Sequence, residues 1–336
     1  MNMQLQHSGN ITPINGGFEL VHDDPRNVDL FAEQGRVSKV PLYDRHGQLL
    51  NGYYGLQNSR TGELLESPPV TRGYKLLDHS EVYAMQGRDL LLNPELPHNN
   101  LTVIDRVFEN GRRATRQVLF NDMTWDLDGK GQGITARADI VNSVDMSWAF
   151  QVFSGAYREY CRNTCVFGGQ KAYHQKKKHT SNLSPEAMVA KAHMGLAMFE
   201  NHRDQMSAWR TIELDPSQWI ELMEETLCAK GGAGAQLSTD RTARVNGKLL
   251  DYMTHRFTEE QRELGSTLWA AYNAMTHWAT HTDETWTRVN EDGTATELAT
   301  GRAGSNRHMV QHQRNAKVRN VLESDAWTRL ENTCAA

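Results

Sequence analysis

Leu101–Phe120 reads LTVIDRVFENGRRATRQVLF. Leu101–Phe108 and Thr115–Phe120 are rich in β-branched and aromatic residues, and Glu109-Asn110-Gly111-Arg112 lies between them. Asn-Gly between such runs predicts a hairpin, because both central turn positions need φ > 0 and these residues adopt it at least cost. Downstream, Met123–Leu127 and Ile134–Val141 predict a second strand pair across the glycine-rich link Asp128–Gly133. Ile134, Ala136, Ala138 and Ile140 alternate as in a sheet with one buried face. In Trp148–Tyr160, Trp148, Phe150 and Val152 alternate, whereas Phe153, Tyr157 and Tyr160 have helical spacing. A strand running into a short helix is expected there.

Beyond residue 181 the period becomes helical. Ser184-Pro185-Glu186 supplies an N-cap and a first-turn proline for a helix to about Met206, and Asp215-Pro216 opens another with Trp219, Leu222, Met223 and Leu227 inward. Gly231–Gly234 ends it. Thr258-Glu259-Glu260-Gln261 reads as a capping box that begins a helix to His281, with Leu264, Leu268, Tyr272, Met275 and Ala279 on its core face. A last helix is expected over about 308–322. Upstream, glycine and proline recur through residues 1–70, which read as an irregular extension holding two short strands, Lys39–Tyr43 and Gln48–Leu56, around Asp44–Gly47. The expected architecture is α+β, with antiparallel hairpins at about 100–160 packed with C-terminal helices. The domain limits follow as 1–70, one α+β domain over 71–325, and a tail at 326–336.

Hydrophobic residues make up 38 % of the 336, eight are Trp, and no apolar run is long enough to span a membrane, so a folded soluble chain is expected. Four cysteines are too few for a disulfide framework, which points to a reducing compartment. The net charge of −5 excludes a uniformly basic coat but hides an uneven distribution. Residues 111–180 and 301–336 are net positive, whereas 1–110 and the helical block 181–300 are net negative. Arg112, Arg113 and Arg116 sit on the hairpin, and Arg158, Arg162, Lys171, Lys176, Lys177 and Lys178 follow, interleaved with Tyr157, Tyr160 and Tyr173. Arg307, Arg314 and Lys317 lie in a stretch with no acidic residue between Glu297 and Glu323. Cations that track phosphates beside rings that stack on bases are what single-stranded nucleic acid requires. A solvated lysine loop and an amphipathic basic helix account for the same residues, and the sequence leaves both open.

Other constellations are weaker. Cys161, Cys165, His174 and His179 have the end spacings of a Cys₂His₂ zinc set but too short a linker. His277 and His281 stand one helical turn apart, but Trp278 occupies the position where a zincin carries its glutamate, so surface or groove histidines are the plainer reading. Asp122, Asp126, Asp128 and Asp139 could meet on adjacent strands around Mg²⁺, although aspartates at turns are ordinary. No nucleophile elbow or P-loop is present. No cofactor and no bound metal are expected, and no enzymatic activity. Asn273 is a poor residue for a helix interior, so its amide is expected to have a specific partner.

Four stretches together resemble one family: Arg72-Gly73-Tyr74-Lys75 with Leu76-Leu77; Asp139–Asp145; Tyr157-Arg158 with Tyr160–Asn163; and Leu268-Trp269 with Tyr272–Thr276. Asn306-Arg307 and Lys177–Thr180 fit further motifs of it. The chain is similar over roughly 70–325 to the family catalogued as domain of unknown function 932. Two family glycines are replaced here, by Met146 after Asp145 and by Thr164 after Asn163. The resemblance implies a phage or mobile-element protein of the bacterial cytoplasm and favours a role in phage DNA metabolism. It also marks Asn142, Asn273 and His277 as polar positions of structural or functional weight. Its hairpin-then-helix order is similar to the core of phage single-strand annealing proteins. The expectation is therefore a non-covalent single-stranded-DNA-binding protein that assembles as a homo-oligomer. The alternatives are a protein-binding module with its interface on the acidic helical block, and a metal-dependent enzyme.

Overall fold

The computed structural model describes residues 11–127, 133–158, 163–165, 174–197, 199–229, 245–282, 284–289, 294–299 and 307–333. The chain divides into two compact units, one of Met1–Thr124, Thr135–Gly155 and Lys171–Met198, the other of Trp125–Ile134, Ala156–Gln170 and Phe199–Ala336.

The first unit carries the main sheet. Strands β1 (Ile11–Ile14), β2 (Gly17–His22), β6 (Leu101–Phe108), β7 (Arg113–Asp126), β8 (Gly133–Ser143) and β9 (Phe150–Arg158) lie in that order, and the end of β9, which belongs to the second unit, pairs there with β10 (Asn163–Cys165). β11 (His174–Lys177) pairs with β9 as well. The β6–β7 hairpin has the expected turn, with Glu109, Asn110 and Gly111 all at positive φ. Its register sets Phe108 against Arg113 and Asp105 against Arg116. Helices α1 (Asp29–Ala32), α2 (His79–Leu91) and α3 (Pro185–Ala197) close the core, in which Leu20, Phe31, Tyr83, Val107, Phe150 and Val189 are buried. A smaller sheet has the order β3 (Val37–Tyr43), β4 (Leu49–Asn58), β5 (Val70–Thr71).

Several expectations are corrected here. The described part of residues 1–70, from Ile11 on, is not irregular: β1 and β2 extend the main sheet, and Leu20 and His22 are buried in it. Short runs with glycine between them look loose only until a sheet supplies the missing hydrogen bonds. Met123–Leu127 is not a separate strand but mostly the end of β7, and β9 continues as strand to Arg158 where a helix was expected. β8 is buried on both faces rather than one, with Arg137 and Asp139 paired at 2.5 Å. Met146, which stands where the resembled family carries glycine, adopts the left-handed backbone (φ 63°) that a non-glycine residue rarely takes.

The second unit is mainly helical: α4 (Phe199–Trp209), α5 (Pro216–Glu225), α6 (Gly247–Leu264), α7 (Leu268–Thr280), α8 (Arg307–Leu322) and α9 (Asp325–Asn332), with the hairpin β12 (Thr285–Val289) and β13 (Ala295–Ala299). Asp215 forms a capping box with Gln218, as its position before Pro216 predicts. Thr258 does not cap a helix. It lies inside α6 and bonds back to the Thr254 carbonyl, and the break falls at Gly265 (φ 75°) with Thr267 capping α7. α5 stops at Glu225 with Thr226 as its C-cap, so the glycine run expected to end it is not what ends it; Gly231–Gly234 lies outside the described residues. The described part of the expected tail, 326–333, is not simply a tail, because Trp327 of α9 is fully buried and meets Trp209 edge-on. Among the described residues, no helix is long and apolar enough to cross a membrane.

Candidate functional site

The basic residues singled out in the sequence fall into three environments. Lys176, Lys177 and Lys178 are exposed and carry no side-chain partner among the described residues. Their segment is firmly held. β11 pairs with β9 in the register Lys176–Gln151 and Lys177–Phe150, and Phe150 and Val152 of β9 are core residues. After it, Lys75 donates its backbone N–H to the His179 carbonyl at 3.0 Å, and the His179 Nδ1–H donates to the Lys75 carbonyl at 3.1 Å. The His179 ring stacks on Tyr74 at 5.4 Å, and Lys75 Nζ bonds the Leu183 carbonyl. Three exposed lysines thus lie on, and just after, a pinned strand of the sheet.

The hairpin arginines differ. Arg112 donates to Glu109 Oε2 at 3.0 Å and to the Glu66 carbonyl at 2.8 Å. Arg113 bonds Ser147 Oγ at 2.8 Å, lies 3.6 Å from Asp145, and covers the Trp148 ring. Both are mostly buried and neutralised within the turn. Arg116 is fully buried and forms a fork with Asp105, Nε to Oδ1 and Nη2 to Oδ2, each at 2.7 Å. It therefore does not form the lip of a surface groove.

In the second unit, Arg158 and Arg314 are also buried, which corrects their expected place on a phosphate-binding surface. Arg158 donates to Asn273 Oδ1 at 2.9 Å and lies over the Trp269 ring. Arg314 bonds the Trp278 carbonyl at 2.6 Å with its guanidinium 4.8 Å over the same residue's ring. Lys317 is exposed. Arg162 and Lys171 lie outside the described residues, and only the backbone of Arg307 is described. A planar guanidinium sheds hydration more readily than an ammonium and stacks on aromatic rings, which is why arginines go inward here while lysines stay out.

The polar positions marked by the resemblance are interior. Asn142 donates to the Leu77 carbonyl at 3.1 Å and to His79 Nδ1 at 3.0 Å, and His79 Nε2–H donates to the Gly111 carbonyl at 3.1 Å. Asn273 accepts from Arg158 and donates to the Trp269 carbonyl at 2.8 Å, tying α7 to the end of β9. Asn273→Ala leaves the Arg158 donor without that acceptor in a buried site. It is expected to lower stability by about 2 kcal/mol, read by thermal unfolding, with oligonucleotide binding unchanged. Lost binding at unchanged stability would instead give Asn273 a direct functional role.

His277 is buried rather than on the surface, because α7 is enclosed all round. Its Nε2–H donates to Glu284 Oε2 at 2.9 Å, and the Tyr252 hydroxyl donates to the same oxygen at 2.8 Å. Burial raises the Glu284 carboxyl, but the hydrogen bond and charge of His277, with the Tyr252 hydroxyl and the nearby Arg256, outweigh it and hold it down at about 2. His277 and His281 stack with centroids 4.1 Å apart, so their in-plane lone pairs do not converge on one ion. Among the described residues, no group of three or more His, Cys, Asp or Glu is placed to hold a metal. Of the Cys₂His₂ candidates, His179 is committed to Lys75 and Tyr74, Cys165 and His174 are described only in backbone, and Cys161 lies outside the described residues. Asp139 faces Arg137 and Asp122 accepts from Asn100, while Asp128 lies outside the described residues.

The His22–Asp105–Arg116 cluster was missed in the sequence, although its signal is there. Asp105 sits on the inward side of the alternation Leu101, Val103, Asp105, Val107, and the hairpin register brings Arg116 opposite.

Comparison with curated proteins and with solved structures returns no match. A family model, described as Domain of unknown function (DUF932), matches residues 129–321. That span holds three of the four resembling stretches, together with Lys176–Lys178, Asn273 and His277, while Arg72–Leu77 precedes it. The match covers more than half of the chain, and the protein belongs to this family of unknown function.

Proposed function

We propose that this protein binds single-stranded DNA without covalent chemistry, as an accessory of phage recombination of the annealing kind, working as a homo-oligomer. The observation that carries the reading is the run of exposed lysines Lys176, Lys177 and Lys178, without side-chain partners among the described residues and held on a pinned strand. Annealing requires a strand held by its phosphates with its bases exposed, and ammonium groups on a fixed edge meet that need without reading sequence. Lysines on a sheet edge also discourage strand-to-strand aggregation. The two roles separate under charge reversal, since glutamates protect an edge equally well but repel phosphates.

The test is fluorescence anisotropy with labelled oligo(dT), oligo(U) and duplex DNA across a salt series. Losing three single-strand phosphate contacts is expected to lower the log–log salt slope by about 2, with retention at low salt falling more than about tenfold in K176E/K177E/K178E. Unchanged affinity and slope in that variant would remove the reading. Tighter binding of oligo(U) or duplex than of oligo(dT) would reassign its substrate.

A further inference from the structure

A cleft of about 790 Å³ opens in the first unit, between the β6–β7 turn, the start of β2 and the loop 58–66. Its lining is mixed, with Phe18, Leu30, Leu64 and Val107 among polar and charged residues. Phe18 is 46 % exposed and Leu64 56 % exposed, unusual for large apolar residues lining a concave surface. Four carboxylates, Glu33, Glu63, Glu66 and Glu109, line the same cleft. Arg60 donates to the Glu33 carbonyl, and Arg112 donates to the Glu66 carbonyl and pairs with the Glu109 carboxylate at 3.0 Å and the Glu66 carboxylate at 3.7 Å, with Arg113 3.9 Å from Glu109. Glu63 has no side-chain partner among the described residues, and the Glu66 side chain is 92 % exposed.

The cleft is built rather than incidental. Asn58, buried, donates to the Gln34 carbonyl at 2.7 Å and accepts from the backbone N–H of Arg60 and Thr61, which fixes the loop. Glu109 donates its backbone N–H to the Gly16 carbonyl at 3.0 Å, which fixes the turn against the start of β2. At Gly17 a Cβ would lie 1.8 Å from the Val107 carbonyl oxygen, so the two strands can approach this closely only with glycine there.

We infer that this cleft is a docking groove for an extended polypeptide segment in which apolar side chains alternate with lysine or arginine. The exposed Phe18 and Leu64 take the apolar side chains, and the surplus of carboxylates, offered by Glu63 and the exposed Glu66, takes the flanking cations. The same surplus repels phosphates, so the groove is distinct from the lysine edge. Ile11, which lines the cleft, begins β1, the terminal strand of the main sheet. Its outer edge has no strand partner among the described residues, and an extended segment can add main-chain hydrogen bonds there.

The test uses the full chain and a fluorescein-labelled peptide, Gly-Lys-Leu-Lys-Phe-Lys-Leu-Gly, in anisotropy titrations. Two control peptides replace its lysines by glutamate or its apolar residues by serine. Saturable binding of the first peptide alone is expected, weakened about tenfold or more in E63K/E66K and in Leu64→Ser, and unchanged in K176E/K177E/K178E. These positions are exposed, so the variants should melt with the parent, and hydrogen exchange should show protection by the peptide at 11–18 and 58–66. Absence of saturable binding by the parent overturns the inference, as does binding that survives both cleft variants. Either result leaves the DNA reading to its own test.

Discussion

Arg116→Ala is expected to destabilise the fold by about 3–5 kcal/mol, because it leaves a buried carboxylate without its main counter-charge. Arg116 donates to both oxygens of Asp105 and also to the carbonyls of Pro25 at 2.8 Å and Tyr83 at 3.1 Å, and to that of Asn27. Its guanidinium lies 5.4 Å from the Phe31 ring and 5.3 Å from the Tyr83 ring. One side chain thereby joins β6 and β7 to the segment before α1 and to α2. After truncation Asp105 keeps the His22 Nε2–H at 3.0 Å, but three carbonyls lose a donor. For a unit of this size the loss corresponds to a fall of roughly 10 °C or more in Tm. Urea unfolding measures it directly, and an effect below about 1 kcal/mol would show that water replaces the guanidinium. Arg116→Met with Asp105→Leu should recover part of the loss, since it removes the unpaired charge but not the need of the three carbonyls. Below the melting transition, DNA retention should be unchanged in either variant.

Acid is expected to weaken the fold by about 3 kcal/mol between pH 6.5 and 4 through His79 alone. Burial holds the His79 imidazole down at about 4, against an ordinary value of 6.5. The unfolded chain therefore takes up its proton first as the pH falls. The contribution of neutral His79 is complete above pH 6.5, declines by about 1.4 kcal/mol per unit below it, and is gone near pH 4. Neutrality is also what the bonds require, because Nδ1 must accept from Asn142 while Nε2–H donates to Gly111. His79→Gln can keep both bonds without a titrating group, so its stability should be flatter over this range. His179 and His193 are also pushed down by burial and add a residual slope of the same sign. Urea midpoints measured every half unit from pH 8 to 4 would read the difference, and parallel curves for parent and variant would show that His79 is not the group responsible.

The hairpin at Leu101–Phe120 and its Asn-Gly turn were legible, because turn chemistry and alternation are local, but the pairing of Asp105 with Arg116 was not drawn from them. The Asp215-Pro216 helix start was legible for the same reason. Family membership could be read from short motifs. The α+β class followed from the change of period near residue 181, where alternation gives way to helical spacing.

What only the tertiary structure decided is the fate of the charges. Arg116, Arg158 and Arg314 read as cations available to phosphate because a linear sequence shows charge but not depth. Asp105, Asn273 and the Trp278 carbonyl, each brought into reach by folding, turned them into interior hydrogen-bond donors. Residues 17–22 likewise joined the main sheet only because β6 supplied their partners from some 85 residues further along the chain. His277 moved inside because α7 is covered on every side, which its own apolar stripe does not reveal. Local propensity acts over a few residues and survives in the sequence, whereas burial is a property of what the rest of the chain places on top.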